Sequence, residues 1–315
     1  MKKIVFTFLL FFLILLHPAF NQSFHINNIF NPGLTIGTDY PLSASLNDTS
    51  DFQLIRYKIQ LVKPVRTRYG VALQDFDVKN PDAKASQMFV ATKFSVAHPS
   101  ITNSHYDNVY KGELEFTAIT ASNKNGIWVY SANLFAEESS TSFHKSFMPN
   151  IKVYTAFVNI QHLKFVYFYG ATILVNQGRF YPLPLFGFRA ILSQRLKLEF
   201  LIPVHIKLNY ELTQKLSLDL AGYFSGINAI KREGSALQKN DNTLNLRELK
   251  IYLALNAKLA EHYKLKVEFG YASMRKIHRL STDFKQDLTA APYISFSLNY
   301  NFGNSVFGNF IDRAE

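Results

Sequence analysis

Residues 248–271 read ELKIYLALNAKLAEHYKLKVEFGY, and the parity of that stretch decides the fold. Leu249, Ile251, Leu253, Leu255 and Leu259 alternate with Glu248, Lys250, Tyr252, Asn256 and Lys258. After a break at 260–262, Leu265, Val267, Phe269 and Tyr271 alternate with Lys264, Lys266 and Glu268. A helix would set its apolar residues three and four apart, so period-two alternation means two strands, each with an apolar and a charged face. Ile55, Tyr57, Ile59 and Leu61 stand in the same way against Arg56, Lys58 and Gln60. Val204, Ile206, Leu208, Tyr210 and Leu212 stand against His205, Lys207, Asn209 and Glu211. Alternating segments of about ten residues, repeated between turns, are the signature of transmembrane strands.

Working outward, strands are expected at 33–43, 52–62, 66–76, 111–121, 127–137, 150–160, 164–175, 185–192, 196–202, 204–212, 215–225, 245–259, 263–275 and 292–302. The connections at 63–65, 122–126, 161–163, 193–195, 213–214 and 260–262 are short, and most of those between them are long. A soluble sandwich has no reason to segregate its connections, whereas an outer-membrane barrel keeps short turns in the periplasm and longer loops outside. The expected fold is therefore all-β, a closed antiparallel transmembrane β-barrel of about fourteen strands over 23–302. Parity requires a reversal at Pro203; a single bent strand over 196–212 would lower the count to ten or twelve.

The N-terminus agrees with export. Lys2 and Lys3 precede an apolar run over 4–16, followed by His17, Pro18 and Ala19, which reads as a signal peptide over 1–22 and is too short to span a bilayer. No Cys is present, so neither disulfides nor a lipoprotein anchor are available. The net charge of +11 is spread along the chain without a basic block, which argues against nucleic acid in an exported protein. The expected location is the outer membrane of a Gram-negative bacterium, with outer-membrane lipids as partners. The last strand alternates Ile294, Phe296, Leu298, Tyr300 and Phe302 with Ser295, Ser297, Asn299 and Asn301, the form that barrel-assembly machinery reads, although 303–315 continue beyond it as a tail.

PLFGF at 184–188, LIPVHI at 201–206, Tyr210, LSL at 216–218, Gly222, Gly226 and YISFSLNYNF at 293–302 resemble a functionally uncharacterised outer-membrane β-barrel family of Bacteroidetes-type bacteria. The resemblance implies a fold and a location, and supplies no catalytic residue.

Chemistry is sparse. There is no His-x-x-x-His, no phosphate loop and no Gly-x-Ser-x-Gly elbow, so no metal, cofactor or catalytic residue is expected. His144, flanked by Ser142 and Ser146, is the one candidate for acyl-transfer chemistry, against an ordinary loop histidine. The stretch 77–110 is expected as a long loop, within which Met88 to Val96 alternates enough to form a strand or hairpin of its own; it either narrows the lumen, as a constriction or plug, or forms an outer flap. Inward parity gives a candidate lumen lining of Arg56, Lys58, Lys197, Lys207, Lys250, Lys258, Lys264 and Lys266 with Glu199, Glu211, Asp219, Glu248 and Glu268. Buried charges must be paired or wet, and the width of about fourteen strands favours water. The leading expectation is a passive channel or uptake barrel for small solutes, with a mild preference for a small anionic solute. A closed structural or surface-binding barrel, and then a lipid-modifying enzyme, are the rivals.

Overall fold

The computed structural model describes residues 32–47, 50–71, 83–101, 108–122, 126–138, 149–162, 164–176, 179–202, 205–231, 242–279 and 284–303. They form β1 (Gly33–Pro41), β2 (Ala44–Asn47), β3 (Ser50–Val71), β4 (Ala83–Ile101), β5 (Val109–Ser122), β6 (Gly126–Glu138), β7 (Asn150–His162), β8 (Phe165–Asn176), β9 (Arg179–Ser193), β10 (Leu196–Ile202), β11 (His205–Thr213), β12 (Leu216–Lys231), β13 (Asn242–Lys258), β14 (Tyr263–Arg279), β15 (Phe284–Leu288) and β16 (Ala291–Asn301). From β3 to β14 each strand pairs antiparallel with the next, and β1 pairs with both β3 and β16, which closes the ring and leaves no long open edge there. β2 continues β1 along β3, and β15 occupies the same wall position as β16 along β14. Sixteen elements thus fill fourteen wall positions.

Fourteen strands were expected, but not these fourteen. The turn expected at 63–65 is absent: β3 runs unbroken through it, and the ladder with β4 absorbs Pro64 as an irregularity between Pro64 and Arg66. A proline that cannot donate to a ladder is accommodated by such a bulge as well as by a turn. The expected loop 77–110 is corrected in turn, because Ala83–Ile101 is a wall strand paired along its length with β3 and with β5. Its inward face mixes Gln87, Phe89, Ala91, Lys93 and Ala97, so the alternation that marks the other strands is blurred. One strand too many at 66–76 and one too few at 83–101 cancelled. The reversal at Pro203 is present, since Leu201 pairs with His205. The signal peptide, Ser142, His144, Ser146 and the tail beyond 303 lie outside the described residues.

Both described ends of the chain, the strand ends Ser122, Gly126, His162 and Phe165, and the turns at 194–195, 214–215 and 259–262 lie at one end, which is the periplasmic one. The strand ends Ile101, Val109, Glu138, Asn150, Lys231 and Asn242 lie at the other. Segregation by length is incomplete, since β3 and β4 are far apart in sequence at their periplasmic ends while β2 and β3, β8 and β9, and β10 and β11 follow one another closely at their outer ends. Outward positions are large, apolar and exposed, among them Ile59, Phe94, Phe116, Ile173, Ile206, Leu220, Leu253, Phe269 and Phe296. Exposed apolar residues on most strands would be a liability in water and form the lipid face of a barrel. Inward positions carry the buried polar set, including Asp39, Glu115, Asn133, Lys152, Asp219, Glu248, Lys250 and Arg275.

Candidate functional site

The candidate site is the barrel interior, and its two halves differ. Arg56, Lys58, Lys197, Glu199, Lys207, Glu211, Asp219, Glu248, Lys250, Lys266 and Glu268 lie on inward positions of their strands. Lys258 and Lys264 share that parity, oppose one another across β13 and β14, and are exposed at the periplasmic rim. In the periplasmic half, Lys207 meets Glu199 at 2.7 Å, Lys197 meets Glu211 at 2.8 Å and Lys266 meets Glu268 at 2.7 Å. Asp219 accepts from Asn209 and Asn256. Solvent reaches several of these side chains: Lys266 is 29% exposed and Glu211 41%.

The outer half is more closed to solvent, although the Lys58 side chain at its edge is 39% exposed. Asp39 lies 3.1 Å from Lys58 and 3.6 Å from Lys250, Lys250 lies 3.6 Å from Glu248, and Glu248 lies 3.3 Å from Arg275. The side chains of Asp39, Lys250, Glu248 and Arg275 are between 0 and 6% exposed. The Ser295 hydroxyl donates to Asp39 at 2.7 Å, and the Lys250 ammonium sits 4.7 Å from the Tyr293 ring centroid. Arg275 lies 5.7 Å from the ring of Phe52, and its two terminal guanidinium nitrogens meet no hydrogen-bond acceptor. A bulge reaches this point: Met274 takes a left-handed φ of 50° and points outward, which turns Arg275 in. Above the ion pairs, Phe52, Leu54, Ala97 and Val109 pack with Ile227, Ala229, Leu246, Ile277 and Leu288.

What fills the outer half is the upper part of β12. Arg56 on β3 donates to the carbonyl of Gly226 at 3.3 Å, although β1, β16, β14 and β13 separate the two strands around the wall. From the other side, the Glu137 carboxylate of β6 accepts the backbone N–H of Asn228 at 3.1 Å, and Ile230 forms a parallel bridge with Glu138. Five strands stand between β6 and β12 in ring order. A wall strand that bonds to both β3 and β6 runs across the lumen. The constriction anticipated from 77–110 is thus supplied by 225–231, through a strand that reads as ordinary wall.

Sequence parity missed Asp39, Lys93, Lys111, Glu113, Glu115, Lys152, Arg189 and Arg275. Lys93 lies within 3.5 Å of both Glu113 and Glu115, and Lys111 lies 2.6 Å from Glu113. Lys93 is hidden by the reading of β4 as a loop and Arg275 by the Met274 bulge, whereas Asp39, Lys111, Glu113, Glu115, Lys152 and Arg189 lie on strands that parity already marked and could have been found there. Among the described residues no group of His, Asp and Glu is arranged to hold a metal ion.

A family profile described as "Domain of unknown function (DUF6268)" matches residues 122–308, well over half of the chain. No curated protein matches. Among solved structures, the chain is similar to the COG4313 outer membrane channel from Pseudomonas putida F1, with 11% identity, TM-score 0.37, and coverage of 89% of this chain and 100% of that one. It is also similar to the translocator domain of the autotransporter NalP from Neisseria meningitidis, with 9% identity, TM-score 0.30 and coverage of 91% and 92%. The P. putida toluene transporter TodX matches with 9% identity, TM-score 0.27 and coverage of 91% and 97%. The first is an outer-membrane channel by its description, and likenesses this distant carry no activity or substrate to the present chain.

Proposed function

The chain belongs to the DUF6268 family, and we propose that it is an outer-membrane β-barrel whose resting interior passes no steady ion current, a closed barrel without catalytic chemistry. The observation that carries this reading is the path of β12, clamped across the lumen by Arg56 on one side and Glu137 on the other. A conducting pore needs a continuous file of water, and the burial of Asp39, Lys250, Glu248 and Arg275 beside the inturned strand supports an interruption of that file. Closure by hydrogen bonds to a strand's backbone is reversible in principle, since Glu137 and Arg56 can each be replaced at their sites by water.

A second reading, passive passage of small solutes with a mild anion preference, is favoured by the half-wet periplasmic interior, where Lys207 and Lys266 remain partly exposed. Planar-bilayer recording of the refolded mature protein separates the two. The closed reading expects no steady current from the wild type and the appearance of current steps in Glu137→Ala combined with Arg56→Ala. The second expects an ohmic current in the wild type, with a reversal potential leaning towards the anion in dilute salt.

A further inference from the structure

The inward path of β12 leaves a gap in the outer wall. The hairpin β10–β11 is short and its tip reaches only to Phe186 of β9 and Tyr223 of β12, so among the described residues Arg179–Leu185 pair with β8 alone. The sequence is built for that edge. Ile191 donates to Lys164 on the β8 side, and bonded and non-bonded pairs alternate along the unshifted ladder, so Pro182 and Pro184 turn their nitrogens to the open side. Prolines there offer an incoming peptide strand carbonyl acceptors but no N–H donor at 182 and 184, which disfavours strand addition as the use of this edge.

Across the gap, the outward face of β13, β14 and β15 presents Arg247, Lys276 and Asp287 in one row, with Asn245 and His278 in the row above. With Ile277 and Gln286, which pair with each other at inward positions, they line a cavity of about 460 Å³. Lys276 meets Asp287 at 3.4 Å, both well exposed. Arg247 is half-buried, lies within electrostatic reach of Tyr181 on β9, and has no carboxylate partner among the described residues. Directly below on the same faces lie Leu249, Ile251, Leu253, Tyr271 and Met274, the top of the lipid-facing band.

We propose that this recess binds the phosphorylated head group of an outer-leaflet lipid, with Arg247 as the principal contact, Lys276 as the second, and the acyl chains lying on Ile251 and Leu253. A guanidinium without a counter-ion at the membrane boundary is complementary to an anion that the bilayer itself supplies. Phosphate fits better than carboxylate, because Arg247 and Lys276 present guanidinium and ammonium donors from neighbouring strands and a phosphate has more acceptor oxygens to meet both. Asp287 opposes an anion and is neutralised by Lys276, so Arg247 supplies the net positive charge. The inference is independent of whether the interior conducts.

Native mass spectrometry of the detergent-solubilised full barrel, with phosphatidic acid as the probe and phosphatidylcholine as the uncharged-head control, tests it. Wild type should retain phosphatidic acid selectively, and Arg247→Gln with Lys276→Gln should weaken retention roughly tenfold or more. Lys63→Gln with Arg68→Gln removes the same charge at the periplasmic end and should leave retention unchanged. The heat-dependent gel shift of each variant checks that the barrel has formed. Equal retention in wild type and the Arg247 variant, or equal loss in both double variants, overturns the site. Displacement of the lipid by millimolar inorganic phosphate would mean a soluble phosphate site and would overturn the lipid assignment.

Discussion

The outer and periplasmic halves of the interior are lined by the same kinds of residue and behave as different materials. In the periplasmic half, Lys207–Glu199, Lys197–Glu211 and Lys266–Glu268 are short ion pairs that water still reaches. In the outer half, Asp39, Lys250, Glu248 and Arg275 are sealed beneath an apolar cluster that includes Ile227 and Ala229 of the inturned β12. Desolvation makes a charge depend on its partner, so the dry half is brittle to substitution and the wet half is tolerant. One strand's path, rather than composition, sets the difference.

The largest expected effect breaks the dry network. Arg275→Leu leaves Glu248 buried with only Lys250, and should cost about 3 to 5 kcal/mol in urea unfolding of the refolded protein. A cost below about 1 kcal/mol would mean that water reaches the outer half after all. Next comes the lipid face, which frames both halves. Leu253→Arg, near a strand midpoint and 49% exposed to lipid, should cost about 2 to 4 kcal/mol, against roughly 0 to 1 for Leu259→Arg at the periplasmic end. Similar costs at the two positions would show that the membrane boundary is drawn wrongly. The smallest effect sharpens the contrast from the wet side. Lys207→Gln should cost less than about 1 kcal/mol, and raising salt from 0.1 to 1 M, which shortens the Debye length from about 10 to about 3 Å, should remove most of even that. An unfolding cost for Lys207→Gln as large as that for Arg275→Leu would erase the distinction between the halves.

The sequence made the architecture legible wherever one face was purely apolar. The segment 248–271, the β10–β11 pairing around Pro203 and the terminal strand all have their expected parity, because charge on the lipid face is costly near mid-membrane and so favours strict alternation there. It was least legible where the interior is itself apolar. In β4, Met88 to Val96 alternates enough for a strand, but Phe89 and Ala91 point inward and Met88 and Phe94 outward, so both faces read as hydrophobic and nothing marks the segment as wall. The same blurring conceals the site. Ile227 and Ala229 look like wall residues with a weak pattern, and nothing local says that their strand leaves the wall, since that depends on Glu137 and Arg56 far away in the chain. Tyr252 illustrates the cost: parity places it inward, yet it is buried, accepting from Lys266 at 3.4 Å, where a wide wet lumen would have left it exposed.

The central claim is that β12 stands across the lumen against β6, and the absence of native Cys allows a clean test. Asn228→Cys combined with Glu137→Cys, treated in isolated outer membranes with a short thiol-specific crosslinker, should yield an internally linked species of altered mobility. Leu220→Cys with Leu253→Cys, directly opposed on neighbouring strands, serves as the positive control. If β12 instead followed the wall, five intervening strands at about 4.8 Å each would hold positions 228 and 137 well beyond the reach of the crosslinker. Efficient linkage of 228 to 137 is the predicted result. Linkage of the control pair alone would contradict the account.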